Sequence, residues 1–268
     1  MKALSQHRRH PLMGLALLLL GLLVTGGLYS VASTVNQAQA ADKVTTAASS
    51  DEIAEGEKLF NANCASCHGM GADGGPSGPS LIGVGAASVD FQVGTGRMPM
   101  QMNGPQARQK EPQFNEEQTA QLAAYVASLG AGPAVPEEEH LDTNHEDVNV
   151  ARGGDLFRIN CAMCHNAAAA GGALTRGKFA PTLQGVDEKH IYEAMQTGPQ
   201  NMPVFGDGNL KPEDKRDIIA YLKTIENNGS PGGLSLGSLG PVSEGLFIWT
   251  AGLAIIIGFM VWLTSRSS

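Results

Sequence analysis

The sequence predicts a mainly α-helical chain in which two tandem domains of one kind are held between two membrane-spanning helices. Three observations predict it. Long apolar stretches stand near both ends, the middle repeats itself in two blocks, and neither block alternates strand and helix patterns.

The chain has 268 residues, enough for two modest domains. The first apolar stretch runs from Leu12 to Ala32 behind Lys2, Arg8 and Arg9, and the second from Leu246 to Thr264 ahead of Arg266. Each is about 20 residues, which at ~1.5 Å per residue matches the ~30 Å apolar thickness of a bilayer. Residues 1–32 read as a cytoplasmic N-terminus with its transmembrane helix. "AQA" at 38–40 also has the small-residue pattern of a signal-peptide cleavage site, and either reading exports the central part of the chain. Residues 246–264 read as the second transmembrane helix, with 265–268 a cytoplasmic tail. Cations at both outer ends orient the termini to the cytoplasm and the middle to the outside, a multi-pass arrangement in the cell membrane.

Charge agrees with that orientation. Four of the 18 Lys and Arg flank the apolar stretches, which leaves 14 against all 26 Asp and Glu, a net charge of −12 in the exported part. Such a surface excludes nucleic acid as a partner and suits docking on a basic one. Residues 33–50 are small and polar and read as a tether. Residues 130–149 are a Pro- and acid-rich linker, and 228–245 a Gly/Ser-rich tether. The domains are then 51–129 and 150–227.

Five features recur in the two blocks in one order. Gly56, Phe60 and Cys64 follow at steps of four, as do Gly153, Phe157 and Cys161. A step of four stacks residues on one helix face. Each block then has Cys-x-x-Cys-His, Pro-x-Leu (from Pro79; from Pro181), Met-Pro (Met98-Pro99; Met202-Pro203), and a closing helix with a tyrosine, "EEQTAQLAAYVASLG" and "PEDKRDIIAYLKTIE". A glycine on the first helix would let the closing helix approach closely.

Covalent attachment of haem needs two thiols and an imidazole on one turn, and Cys-x-x-Cys-His supplies all three. Cys64 and Cys67, then Cys161 and Cys164, are the expected thioether residues, with His68 and His165 as iron ligands. A zinc site would not need a His after each pair, a thioredoxin motif would sit in a βαβ unit, and two disulfides remain conceivable in an exported chain. A block of this size with 5% aromatic residues buries little core of its own, and a porphyrin supplies the missing apolar bulk. With two covalently bound haem c groups, the fold class is mainly α: two tandem class I cytochrome c domains with N- and C-terminal transmembrane helices.

A filled sixth position leaves only electron transfer. Met98, 30 residues after His68, and Met202, 37 after His165, are the expected axial ligands. Met100 and Met102 rival Met98, which alone matches Met202 in the repeat. Met195 reads as core, and Met70 and Met163 as packing near the haems. The carbonyls of Pro79 and Pro181 are expected to receive the ring N–H of His68 and His165. His140 and His145 read as solvated linker residues and His190 as exposed, so no self-contained catalytic constellation is expected.

The two haem motifs, the Met-Pro pairs and the anchors together resemble the dihaem cytochrome c subunit (QcrC) of the actinobacterial cytochrome bcc complex, a quinol–cytochrome c reductase. The C-terminal anchor is the most selective of these features. The resemblance implies a respiratory electron carrier between the Rieske iron–sulfur protein and a terminal cytochrome c oxidase, with the cytochrome b subunit as a further partner. It also implies that the second block accepts electrons and the first passes them on. The alternatives are a dihaem subunit of a FixP-like oxidase, which usually has an N-terminal anchor only, and a membrane-anchored dihaem oxidoreductase with its own substrate.

Overall fold

The computed structural model describes residues 15, 17–30, 48–102, 104–227 and 245–266. The tether at 33–47, "AQA", most of the tether before the last helix, and the ends of the first apolar stretch lie outside the described residues. The described chain forms two compact units, Met1–Gly94 with Gln113–Ala134, and Thr95–Pro112 with Val135–Ser268. The units are discontinuous in sequence, because the segment that carries Met98 folds with the second.

In the first unit, α2 (Ser50–Asn63) begins at a capping box in which the Ser49 hydroxyl accepts from the Glu52 N–H and the Glu52 carboxylate accepts from the Ser49 N–H. A shorter apolar helix, α1 (Leu17–Ser30), precedes it. α2 ends at Cys64, and a single turn, α3 (Ala65–His68), carries the motif. α4 (Ala86–Gly94) and α5 (Glu116–Ser128) come next, the latter opened by an Asn115/Gln118 capping box. Phe60, Leu122 and Val126 are each 1% exposed, and the Phe60 and Tyr125 rings sit 5.2 Å apart. Burying such a side chain contributes about 1.5–3 kcal/mol, so the α2–α5 contact is the unit's core.

The second unit repeats that plan. α6 (Val150–Asn160) starts where the Asn149 side chain accepts from the Arg152 N–H and ends at Cys161. α7 (Ala162–His165) carries the second motif. α8 (Glu188–Thr197) is capped by Asp187 and stopped by Gly198 in the left-handed conformation. α9 (Pro212–Asn227) closes the domain, with the Phe157 and Tyr221 rings 5.6 Å apart.

In both units glycine makes the crossing possible. A Cβ on Gly56 would lie 2.0 Å from the Gln121 carbonyl oxygen, and one on Gly153 would lie 1.9 Å from that of Asp217. Only a hydrogen fits, so the paired helices cross backbone to backbone at equivalent places.

The second unit departs from the plan at a small hairpin, β1 (Gly172–Ala173) against β2 (Phe179–Ala180), antiparallel with Gly172 opposite Ala180. Strands of two residues carry no alternation to read, which is why the sequence reading contains none. His140 corrects that reading too. It ends a 3₁₀ turn, Glu138–His140, and stacks on Tyr192 with centroids 5.9 Å apart, while Arg216 reaches the Glu139 carbonyl at 3.4 Å. His145 is half-buried and 3.6 Å from Asp147, and His190 is half-buried rather than exposed.

Among the described residues, α10 (Gly245–Ser265) is long and apolar enough to cross a membrane, and none of it is buried. Its 21 residues span about 31 Å at the α-helical rise. Arg266 stacks on Trp262 at 5.0 Å at its end, a pairing suited to the lipid–water boundary.

Candidate haem sites

Each Cys-x-x-Cys-His hangs on the same backbone break. Cys64 and Cys161 share φ −119°, which ends the entering helix and starts a fresh turn. That turn stops at Gly69 (φ 81°, ψ 153°) in one unit and Asn166 (φ 69°, ψ 153°) in the other. An asparagine at this conformation costs on the order of 1–3 kcal/mol and is held by its surroundings. The Gly74 N–H donates to the His68 carbonyl at 2.7 Å and the Gly171 N–H to that of His165 at 2.9 Å, closing the loop under each histidine.

The histidine rings are fixed alike. His68 Nδ1 lies 2.7 Å from the Pro79 carbonyl oxygen and His165 Nδ1 lies 2.9 Å from that of Pro181. A carbonyl only accepts, so Nδ1 carries the proton and Nε2 keeps a free lone pair for a metal. Burial pushes the His165 imidazole below its ordinary value, opposed by the Pro181 bond. The neutral, ligating form is thereby favoured.

All four cysteines are free, so the disulfide alternative fails. Burial first, then the paired cysteine, pushes the Cys64 and Cys161 thiols up to about 11. Among the described residues neither motif sits in a βαβ unit, so the thioredoxin reading fails as well. Cys161, Met195, Phe157, Ile191 and Tyr192 share one apolar cluster, with Leu183, Phe205 and Met202 packed against it. A thiol, a thioether and an oriented imidazole around an apolar cradle fit haem c.

The second unit therefore brings Cys161 and Met202 into one cluster around the loop that holds His165. Met202 sits in a tight turn, its N–H donating to the Pro199 carbonyl at 3.0 Å, and Phe205 N–H ties the turn to Met195 O at 2.8 Å. Met195 is 2% exposed, a core residue as expected. Met98, Met100 and Met102 lie in the segment grouped with the second unit. Met98 is half-buried, whereas Met100 and Met102 are exposed. Lys110 donates to the carbonyl of Pro99, and Gly96 lies against the Lys110 backbone, so this loop closes on itself. Met70 and Met163 face outward from the polypeptide, at 69% and 92% exposure.

A cavity of about 610 Å³ lies in the second unit, bordered by Arg97, Gln106, Arg108, Gly171, Phe179 and Pro181. Burial pushes the Arg97 guanidinium below its usual value. Gln106 and its partner Phe179 escaped the sequence reading because they are 73 positions apart. The signal that could have found them is the unequal length of the two repeats.

The family model "Cytochrome c" matches residues 53–130, and "Cytochrome C oxidase, cbb3-type, subunit III" matches 148–222. The cytochrome bc1 complex cytochrome c subunit of Corynebacterium efficiens is 49% identical over 240 residues, covering 84% of this chain and 81% of the relative. This chain belongs to that family. The same subunit of Mycobacterium leprae is 45% identical over 255 residues, 94% of this chain and 87% of the relative. The cbb3-type cytochrome c oxidase subunit FixP of Sinorhizobium medicae is 31% identical over 179 residues, 59% of this chain and 57% of the relative, a weaker likeness. As a cytochrome c subunit of the bc1 complex family, the chain binds haem c through its two cytochrome c domains, transfers electrons and is part of a membrane complex.

Proposed function

We propose that the chain carries two covalent haem c groups and links the Rieske iron–sulfur protein to a terminal cytochrome c oxidase beside the cytochrome b subunit, during quinol oxidation. Haem c, when bound, supplies a one-electron redox centre to each domain. The polypeptide supplies the rest. Cys64 and Cys67, and Cys161 and Cys164, fasten the two groups through thioethers. His68 and His165 present Nε2 to iron because Pro79 and Pro181 hold Nδ1–H. Met98 and Met202 would each offer a thioether sulfur to the iron, a ligand type that raises the reduction potential and suits electron transfer. The apolar cluster around Cys161 keeps water away.

The observation that carries this reading is the doubled geometry: the same Cys break, the same His-to-Pro bond and the same glycine crossing in both halves. Duplicate motifs kept for packing alone would not need the imidazole tautomer fixed twice. α10, with the N-terminal apolar stretch, supports a chain moored at both ends with its domains outside the cell. Holding both redox centres on one moored chain makes the handover intramolecular, with no diffusing shuttle. The second domain accepts and the first passes on.

Mass spectrometry of the mature chain tests the cofactor assignment, with two porphyrin adducts expected, one on each Cys pair. Purification in mild detergent tests the partners: cytochrome b, Rieske and oxidase subunits should accompany it. A chain that purifies alone with both adducts keeps its haem assignment and loses its place in the supercomplex.

A further inference from the structure

We propose that Gln106 is a positioning residue that couples the Met98 loop to the proximal side of His165, so that the ligand state of one haem sets the potential of the other. The coupling rests on Met98 and Met202 being the axial ligands of the proposed function. The repeat is broken in two places. From Met98 to Tyr125 the first block takes 27 positions, against 19 from Met202 to Tyr221 in the second, an excess of eight. From Gly74 to Pro79 the first block takes five, against ten from Gly171 to Pro181 in the second, again an excess, now of five. The first excess lies in the loop after Met98. The second is the β1–β2 hairpin. The two departures from the repeat are bonded to each other.

The bond is two-sided. Gln106 Nε2 donates to the Phe179 carbonyl at 2.9 Å, and the Phe179 N–H donates to Gln106 Oε1 at 2.9 Å. The side-chain amide thus occupies the open edge of β2 as a neighbouring strand would, satisfying both backbone groups of one residue. The Arg108 guanidinium lies over the Phe179 ring at 5.6 Å and holds the same residue from its side chain. Two positions after Phe179 stands Pro181, whose carbonyl receives His165 Nδ1–H. At the other end of the loop, Lys110 donates to Pro99, next to Met98. A short, bonded path therefore runs from the backbone of one axial methionine to the acceptor that orients the other domain's imidazole. Orientation and hydrogen bonding of that imidazole tune its donor strength to iron, so displacing the loop moves the potential.

Coupling is reciprocal and is measured by a double-mutant cycle. The haem-loaded, full-length protein in detergent is titrated spectroelectrochemically as wild type, Met98→Ala, Gln106→Ala and the double variant. The midpoint of the haem on Cys161 and Cys164 is the readout, assigned with Met202→Ala. Met98→Ala should shift that midpoint in the wild-type background and leave it unmoved, or much less moved, in the Gln106→Ala background. Charge–charge interaction between the haems is present in both backgrounds, so an equal shift in both overturns the proposal, as does no shift in either. The charge-transfer band of methionine-bound ferric haem is read first. If Met98→Ala leaves that band at full amplitude, the ligand assignment and the coupling fall together; if the band falls by about half, as loss of one of two methionine ligands requires, and the second midpoint does not respond, the coupling alone falls. Gln106→Glu fills the same volume but sets a carboxylate oxygen against the Phe179 carbonyl. It should uncouple the haems as Gln106→Ala does, and it serves for the same readout should the alanine variant fail to load two haems.

Discussion

Tyr192 lies under Lys215, whose Nζ is 5.1 Å from the ring centre and pairs with Asp207 at 2.6 Å. Burial first, then the charges of Asp207 and Glu213, pushes the phenol up to about 12 from an ordinary 10. The folded protein therefore keeps this proton where the unfolded chain has lost it. Stability from this group is complete below pH 10 and declines as pH rises towards 12. In denaturant melts across that window, Tyr192→Phe should show the shallower loss, since the ring and its cation contact are retained. Equal slopes for both proteins would refute the shift. The glycine crossings belong to the same scale. Gly153→Ala gains about 1 kcal/mol of helix propensity and meets the Asp217 backbone at 1.9 Å, where overpacking costs about 1–3 kcal/mol and backbone cannot step aside. The clash wins. A melting temperature lowered by about 4–8 °C for each net kcal/mol is expected, and likewise for Gly56→Ala in its own unit.

At the level of elements, the start of α6 hangs on α9. Asp217 is 2% exposed and accepts from the Asn149 N–H at 2.8 Å, while Arg152 stands 3.7 Å from it with half its side chain in solvent. The ion pair is worth at most about 1 kcal/mol, whereas an orphaned buried N–H costs about 1–3 kcal/mol. Chemical denaturation should accordingly rank Asp217→Ala well above Arg152→Ala, with Asp217→Asn between them because an oxygen remains to accept. Arg152→Ala as the worse lesion would show that charge, not the bond, anchors the helix. Elements of this kind were legible in the sequence for a local reason: Gly56, Phe60 and Cys64 recur every fourth residue, as do Gly153, Phe157 and Cys161. The hairpin was not, because two-residue strands have no period. His140 was misread as solvated, since nothing in an acidic linker foretells a 3₁₀ turn that lays its ring on Tyr192. The His-to-Pro bonds were legible because motif and Pro-x-Leu recur in the same order in both blocks, though at unequal spacing, but the Gln106 clasp joins residues that only folding brings together.

Across the whole molecule, the net charge of −12 on the residues between the two apolar stretches is a long-range property that composition alone discloses. It should accelerate reduction by a small cationic reagent over an anionic one of equal driving force. The gap should close at about 1 M salt, where the screening length falls to about 3 Å. A gap that ignores salt would mean that the redox centres do not sense the surface. Family membership was legible at this scale as well, through the pairing of two haem motifs with a C-terminal apolar helix; the path of the chain was not. It passes from one unit to the other after Gly94, back after Pro112, and over again after Ala134. A protease nick between Ala134 and Val135 would therefore split the polypeptide without freeing its halves. The N-terminal fragment would still own the 95–112 loop, seated by Gln106 and Arg108 on a hairpin belonging to the other fragment. Scission at that single bond should give two bands on a denaturing gel and one peak on a native column, and a fragment begun at Val135 should come out missing a wall.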